Sequence, residues 1–228
     1  MINKIELMKL TYLGHNTHLI YTDNLTFLVD PFFPEGLPDL PLKIDYLLIT
    51  HAHQDHILNV EELLGIHKCK VISNYEVATH FIDKGFEGMP MNHGGDITVD
   101  NVNIKAVNAV HSSSFPDGSY GGNPVGFVVT TDDKCIYLAG DTALTMDMQL
   151  IPMTCQPLDL AILPIGNVFT MGYKDACLAA DFVKCKRVVG CHYDTFPPIK
   201  IDKSAAINYF AEKGNELLLL DIGESITA

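Results

Sequence analysis

The chain has few basic residues, and this shortage narrows the range of partners that it can bind. It carries 15 lysines and arginines against 28 aspartates and glutamates, which gives a formal net charge of −13 at pH 7. Proteins that grip nucleic acids need a basic surface to neutralise phosphates. We therefore expect a small-molecule substrate and no nucleic-acid partner.

Long apolar runs and paired cysteine motifs are also missing. No stretch approaches the roughly 20 apolar residues of a membrane span, and the first residues lack the apolar core of a signal peptide. The 6 cysteines are scattered through apolar segments without a CxxC pair, which is typical of reduced, buried thiols. We expect a cytoplasmic protein that makes no membrane contact.

The composition shows no sign of a domain boundary. No Pro/Ser-rich linker or block of charge divides the 228 residues, of which 47% are hydrophobic. A chain of this length can bury a full core. The candidate ligands named below run from residue 51 to residue 192, so a cut between these positions would split their site. We predict one domain spanning 1–228.

A dense group of metal-binding side chains occupies residues 50–56. The run Thr-His-Ala-His-Gln-Asp-His places three imidazoles and one carboxylate within seven residues. Neutral imidazole and ionised carboxylate are ligands that Zn²⁺ and similar divalent ions bind readily. Buried without a metal, each ring would need its own hydrogen-bond partners. The run therefore predicts a metal site.

The spacing within this run predicts that its side chains face two points. The apolar segment 45–50 is typical of a buried strand, so the histidines emerge on a loop at its carboxyl end. Side chains of an extended chain repeat every second residue, which points His51 and His53 to the same side. Asp55 and His56 enter a tighter turn before the next helix. One loop could thus begin two metal sites.

Further ligands must come from elsewhere in the chain, because a metal site needs about four donors. Three other strand-like runs each end in one candidate, namely His111, Asp141 and His192. A lone histidine at a strand end is often a surface or hydrogen-bonded core residue, and Asp141 in Gly-Asp-Thr can be a turn former. Their order after the dense cluster favours the interpretation as ligands.

The order of these residues resembles the metallo-β-lactamase fold superfamily. The pattern is His-x-His-x-Asp-His at 51–56, a lone histidine after a strand, a Gly-Asp-Thr turn and a strand-terminal histidine. Supporting segments are 14–16 (Gly-His-Asn), 29–32 (Val-Asp-Pro-Phe), 91–95, 164–172 and 223–226. Within the superfamily the chain looks most like the small single-domain metal-dependent hydrolases near the ascorbate-phosphate lactonases, and the resemblance spans nearly the whole chain.

This resemblance implies an α/β fold, a four-layer αββα sandwich of two mixed β-sheets flanked by helices. It also implies two divalent metal ions. The implied ligands are His51, His53 and His111 for one ion, Asp55, His56 and His192 for the other, and Asp141 as a bridge between them. Zinc suits imidazole and carboxylate ligands, and manganese, iron or nickel are also admitted.

The function implied is hydrolysis of an ester, lactone or phosphoester bond of a small cytoplasmic metabolite. Two cations that share a water supply hydroxide near neutral pH, and Asp55 is the candidate to move the proton as general acid and base. One alternative is a non-catalytic, metal-stabilised sensor or interaction module, although a structural zinc has four closed ligands. A phosphodiesterase or nuclease of the same fold is the other. The resemblance admits a homo-oligomer.

Three loops rich in glycine and proline are predicted to shape the substrate pocket. They lie at 30–41, 112–124 and 168–173. Because the second follows a candidate ligand directly, it must lie beside the metal. Long loops next to a catalytic centre often act as lids, and this role is open for 30–41 and 112–124.

The candidate substrate contacts are His93, Tyr120, Asn167 and Tyr193. Each also has a purely structural interpretation. His93 and Asn167 stand where members of the family that the chain resembles are expected to carry less polar or smaller residues, so the resemblance is weakest at the substrate pocket. His15, near the start of the chain, is a candidate for orienting a metal ligand.

Periodicity and turn signals predict the regular elements. The predicted strands include 6–12, 17–22 and 25–29, and the predicted helices are 59–65, 75–84, 174–183 and 203–213. Asn59 is predicted to cap the first of these helices.

Overall fold

Fourteen strands form two mixed β-sheets in the computed structural model, which describes residues 8–228. In chain order the strands are β1 Lys9–Gly14, β2 Thr17–Tyr21, β3 Thr26–Val29, β4 Tyr46–Ile49, β5 Lys70–Asn74, β6 Gly88–Met91, β7 Asp96–Val99, β8 Val102–Asn108, β9 Val125–Thr130, β10 Cys135–Leu138, β11 Leu160–Pro164, β12 Arg187–Cys191, β13 Glu216–Leu218 and β14 Ser225–Thr227. The first two residues of the strand predicted at 6–12 lie outside the described residues.

The two sheets have matching topologies. The first has the order β14-β1-β2-β3-β4-β5-β6, and the second has the order β13-β12-β11-β10-β9-β8-β7. The first sheet changes at β3 from antiparallel to parallel pairing, and the second changes at β10. The predicted hairpin between β2 and β3 is present, with Tyr21 paired to Thr26. Parallel strands end at the same edge of a sheet, so the loops that follow them meet there.

The core between the sheets follows from alternation along each strand. Leu48 on β4 packs inward with Phe27 and Ile104, whereas its neighbours Leu47 and Ile49 belong to the cluster on the outer face of the first sheet. Successive side chains of a strand point to opposite faces. Because both faces of β4 are buried, its sequence is a continuous apolar run without polar alternation.

Helices cover the outer face of each sheet. They are α1 Gln54–Ile57, α2 Val60–His67, α3 Tyr75–Asp83, α4 Ile151–Thr154, α5 Tyr173–Phe182 and α6 Lys203–Glu212, with 3₁₀ turns at Met146–Leu150 and Pro197–Ile199. α2 and α3 pack on the first sheet, and α5 and α6 pack on the second. The predicted αββα sandwich is therefore confirmed. Among residues 8–228, no helix reaches the length and apolarity needed to span a bilayer.

Two local predictions near the first sheet need correction. Asp55 and His56 lie in the one-turn helix α1 and not in a simple turn. Asn59 does precede α2, but its side chain makes no cap hydrogen bond to that helix. Instead its Oδ1 accepts a hydrogen bond from the backbone N–H of Phe33, 2.8 Å away. The side chain therefore fixes the loop that follows β3.

A strained turn follows β11. Asn167 and Val168 have φ angles of +62° and +60°. Asparagine tolerates this left-handed region, whereas a β-branched residue there is a genuine outlier that costs on the order of 1–3 kcal/mol. Because the Val168 side chain is 62% exposed, it gains little from burial. We predict that Val168→Asn raises the free energy of unfolding by about 1 kcal/mol, measured by urea denaturation; an unchanged or lower value would contradict this.

Candidate metal centre

Loops at the ends of strands bring the candidate ligands together. His51 lies two residues beyond β4, and Asp141, His111 and His192 follow β10, β8 and β12. A backbone hydrogen bond of 3.0 Å from Val125 N to Thr50 O ties the loop after β4 to the second sheet. The site therefore sits at one edge of the sandwich, where both sheets contribute.

The ligand atoms form three groups, each with its donor atoms within 4.8 Å of one another. The groups are His51, His53 and His111; His15, Asp55, His56 and His192; and His51, His56 and Asp141. All seven predicted ligands are included, and His15 joins them. The third group shares one histidine with each of the others, so the three form one continuous cluster.

Asp141 lies between the two histidine sets. Its Oδ2 atom is 3.0 Å from His192 Nε2, 3.4 Å from His56 Nε2 and 3.6 Å from His111 Nε2. The carboxylate is almost fully buried. One carboxylate oxygen therefore lies within 3.6 Å of imidazole nitrogens from three separate segments of the chain.

The donors fit a divalent metal, because several of them lack any other partner. His56 Nε2, Asp141 Oδ1 and both ring nitrogens of His192 are buried without a hydrogen bond among the described residues. His192 Nε2 approaches Asp141 Oδ2 closely, but not with hydrogen-bond geometry. Unpartnered buried polar atoms are costly and rare. A cation shared by imidazole nitrogens and a carboxylate would satisfy them.

A buried carboxylate that the sequence did not assign to the site orients two of these rings. Asp30 is fully buried at the end of β3. Its Oδ2 accepts hydrogen bonds from His56 Nδ1 at 2.9 Å and from Thr50 Oγ1 at 2.7 Å. Thr50 Oγ1 in turn accepts from His51 Nδ1 at 2.9 Å. In its neutral form each ring would keep its hydrogen on Nδ1 and present Nε2 to a metal, as a ligand requires.

His15 holds the other side of the centre. Its Nε2–H donates to Asp55 Oδ2 over 3.0 Å, and its Nδ1 accepts from Thr195 Oγ1 over 3.0 Å. Its backbone carbonyl, in a residue with φ of +53°, accepts the N–H of His192 over 2.9 Å. The hydrogen bond to Asp55 supports the predicted role of His15 in orienting a metal ligand.

Comparison with known proteins identifies the family. Residues 9–192 match the family model described as "Beta-lactamase superfamily domain". The chain belongs to this superfamily. Relatives named "UPF0173 metal-dependent hydrolase" come from Christiangramia forsetii, 52% identical, and from Flavobacterium johnsoniae, 50% identical. Each alignment spans 225 residues and covers 96% of this chain and 99% of the relative.

A solved structure agrees with this assignment. Igni18, a metallo hydrolase from the archaeon Ignicoccus hospitalis KIN4/I, is 33% identical and superposes with a TM-score of 0.87. The alignment covers 97% of this chain and 98% of that one. The predicted metal-dependent hydrolase of the metallo-β-lactamase fold superfamily is thus confirmed.

In this superfamily member the four predicted substrate contacts lie in different places. His93 Nε2 bonds to the carbonyl oxygen of Pro124 over 2.8 Å, and the exposed Tyr120 bonds through its hydroxyl to Asn123. Asn167 lies in the strained turn after β11. Tyr193, buried next to His192, lines a cavity that also borders His15. None belongs to the three donor groups, and their contact with substrate stays a prediction.

The loop 112–124 is tied to the hydrolase fold at several points. Ser113 Oγ bonds to Gly121 O over 2.9 Å, and Asn74 Nδ2 bonds to the same carbonyl oxygen over 2.9 Å. The ring of Phe115 stacks on His80 with centroids 4.0 Å apart. Ser112 Oγ lies 3.4 Å from His53 Nε2, which places the start of the loop beside the centre, as predicted.

The metal-free hydrolase should lose stability above neutral pH. Burial lowers the pKa of His192, but the nearby Asp141 carboxylate outweighs it and raises that pKa from 6.5 to about 9. Burial also lowers the pKa of His56, but the carboxylates of Asp141 and Asp30 outweigh it and raise that pKa above its usual value. A histidine whose pKa is higher in the folded state than in the unfolded state contributes its full stabilisation at pH values below the unfolded-state pKa. That stabilisation is lost as the pH rises through the folded-state pKa.

We therefore predict that the melting temperature of chelator-treated protein falls between pH 6.5 and pH 9. His192→Gln should flatten part of this fall, because the pair with Asp141 is gone. Circular dichroism melts at constant ionic strength provide the measurement. A melting temperature that rises across this window would contradict the pairing of His192 with Asp141.

Proposed function

We propose that this hydrolase uses two divalent metal ions to cleave an ester, lactone or phosphoester bond of a small metabolite with water. The observation that carries the proposal is the position of Asp141, whose Oδ2 lies within 3.6 Å of His56, His111 and His192. These rings come from both proposed ligand sets. Zinc is the favoured metal for imidazole and carboxylate donors.

The ligand assignment uses the three donor groups but leaves out His15, which is already hydrogen-bonded to Asp55 and Thr195. His51, His53 and His111 would hold one ion, and Asp55, His56 and His192 would hold the second, with Asp141 shared. When bound, such ions supply a nucleophilic hydroxide near neutral pH and polarise the bond to be cleaved. Asp30 supports the arrangement, since it fixes His56 directly and His51 through Thr50.

Asp55 would hold and return the proton during cleavage. Burial raises its pKa, but the hydrogen bond from His15 and the nearby imidazoles of His192 and His56 outweigh this, lower the pKa and keep the carboxyl group ionised. His56 and His192 must give up their protons to bind a metal. The neutral His15 would then remain as the hydrogen-bond donor that holds the Asp55 carboxylate in place. Its side chain is 27% exposed, so substrate can reach it.

The openness of the site disfavours a purely structural metal. His51 and His56 are fully buried, whereas His53, Asp55 and His111 are partly exposed. A structural zinc site is closed by four protein ligands, and a catalytic site keeps one side open. A nuclease is disfavoured by the net charge of −13, since phosphate chains need a basic surface.

A hydrolysis screen tests the proposal. Protein loaded with zinc or manganese is assayed on p-nitrophenyl esters, γ- and δ-lactones and bis-p-nitrophenyl phosphate, before and after treatment with 1,10-phenanthroline. We expect turnover of at least one bond class, loss on chelation and recovery when metal is returned. A protein that binds metal tightly but cleaves none of these bonds would support the sensor or interaction module instead.

A further inference from the structure

A cavity of about 660 Å³ borders the metal centre without including any of its proposed ligands. Its walls come from the end of β1, from residues 32–38 of the loop after β3, from residues 193–195 after β12 and from residues 220–222 near the chain end. This volume is typical of small-molecule sites, which range over roughly 300–1,000 Å³. The predicted pocket loop 30–41 is therefore a wall of this cavity.

One imidazole ring connects the cavity to Asp55. His15 lines the cavity, and its Nε2 lies 3.0 Å from Asp55 Oδ2. Thr195, on the same wall, lies 3.0 Å from His15 Nδ1. The rings of Phe32 and Phe196 flank His15, each with its centroid 5.4 Å away. The cavity is therefore separated from Asp55 by the His15 ring alone, so a molecule bound in it lies one side chain away from the proposed proton carrier.

The walls are mainly apolar. The apolar lining residues are Leu13, Phe32, Phe33, Pro34, Pro38, Leu220 and Ile222. Ile222 is 75% exposed although it is a large aliphatic side chain. Covering such a side chain with an apolar group removes that surface from water and is favourable by about 25 cal/mol per Å².

The charged lining residues disfavour an anionic occupant. Among the described residues of the lining, Glu35, Asp194 and Asp221 are acidic and Lys203 is the one ammonium group. Lys203 Nζ lies 3.4 Å from Asp194 and 5.3 Å from the centre of the Tyr193 ring, so its charge is already paired. An anion in the cavity would face two further carboxylates.

We propose that this cavity binds the uncharged, apolar part of the substrate, an aliphatic or aromatic group attached to the ester or lactone. This inference rests on the proposed function, since the metal centre must cleave the bond that the cavity positions. It places the recognition of the substrate on the His15 side of the centre and makes Phe32, Ile222 and Tyr193 determinants of specificity.

A charge placed on the cavity wall tests the proposal. Ile222→Glu adds a carboxylate at an exposed position, so folding should be retained, and Ile66→Glu on α2 is a matched control whose side chain is also exposed and lies outside the cavity. The binding probe is N-phenyl-1-naphthylamine, a neutral apolar dye followed by fluorescence. Activity is followed with p-nitrophenyl acetate and p-nitrophenyl octanoate.

We expect Ile222→Glu to raise the Kd of the dye and the KM for the octanoate by about ten-fold or more. The KM for the acetate should change little, because its acyl group is too short to fill the cavity. Ile66→Glu should have the Kd and KM values of the native protein. Dye binding that is absent, or equal in both variants, would overturn the cavity assignment. Saturable dye binding lost only in Ile222→Glu, without cleavage of any ester, would instead overturn the proposed hydrolysis and leave the apolar site standing.

Discussion

Asp55→Ala is expected to lower kcat by on the order of 10³-fold or more, with the fold retained. The variant removes both the proposed proton carrier and a donor to the second metal. Because the Asp55 side chain is partly exposed, its loss should leave the packing of α1 intact. Initial rates on the best substrate from the hydrolysis screen give kcat, and circular dichroism reports the fold.

Two companion variants separate the roles of Asp55. Asp55→Asn keeps the shape and one oxygen but cannot take a proton, so we expect it to be nearly as inactive while retaining more metal than Asp55→Ala. Asp133→Ala, an exposed aspartate in the turn after β9, should behave like the native protein. Near-native kcat in Asp55→Ala with full metal content would remove Asp55 from the reaction.

Asp30→Ala is expected to reduce the free energy of unfolding of the metal-free protein by about 3–5 kcal/mol. Asp30 Oδ1 accepts from Thr50 N over 2.8 Å, and Oδ2 accepts from Asn16 Nδ2, Thr50 Oγ1 and His56 Nδ1. Removing the carboxylate would leave these buried donors without partners. The residue also has a φ of +42°, a conformation that alanine tolerates poorly.

Urea denaturation with chelator present measures this effect without a contribution from metal. Asp45→Ala is the control: its Oδ2 accepts one hydrogen bond, from Thr26 N over 2.9 Å, and its carboxylate also pairs with the exposed Lys43 ammonium group, so no network of buried donors depends on it. For Asp45→Ala we expect the free energy of unfolding to fall by about 1 kcal/mol. If Asp30→Ala reduced the free energy of unfolding no more than Asp45→Ala does, the hydrogen bonds of Asp30 would not be what fixes His51 and His56.

The proposed ligands could be predicted from sequence because ligand chemistry leaves a local signal. His51, His53, Asp55 and His56 are dense enough to stand out, and each distant candidate directly follows an apolar strand. Asp30 also follows such a strand, within Val-Asp-Pro-Phe at 29–32, but the sequence alone does not mark it as part of the site. A single carboxylate could equally begin a turn, and its contact with His56 depends on how the chain folds.

The contact between His15 and Thr195 also could not be predicted from the sequence. The two residues are 180 positions apart in the chain, and nothing in the sequence signals that Thr195 Oγ1 contacts His15 Nδ1. The pairing arises because the loop after β12 runs beside the end of β1, where His192 N donates to His15 O. Contacts between loops from different sheets depend on the register of the whole sandwich.

The fold was predictable where elements are long and periodic. The helices at 75–84, 174–183 and 203–213 begin or end within one residue of their predicted bounds. The strand β6 was not predicted, because its four residues, Gly-Met-Pro-Met, have no alternation and include a proline. Proline cannot donate to a ladder and is tolerated here because β6 lies at the edge of its sheet.

Metal content is the most direct test of the two-metal centre. The chelated protein is loaded with zinc or manganese, freed of excess metal on a desalting column, and measured by inductively coupled plasma mass spectrometry against protein concentration. We expect two ions per chain in the native protein, with fewer in His111→Ala and in His192→Ala, since each variant removes a donor from a different ion. A native protein that retains one ion per chain or none at saturating metal would contradict the dinuclear centre.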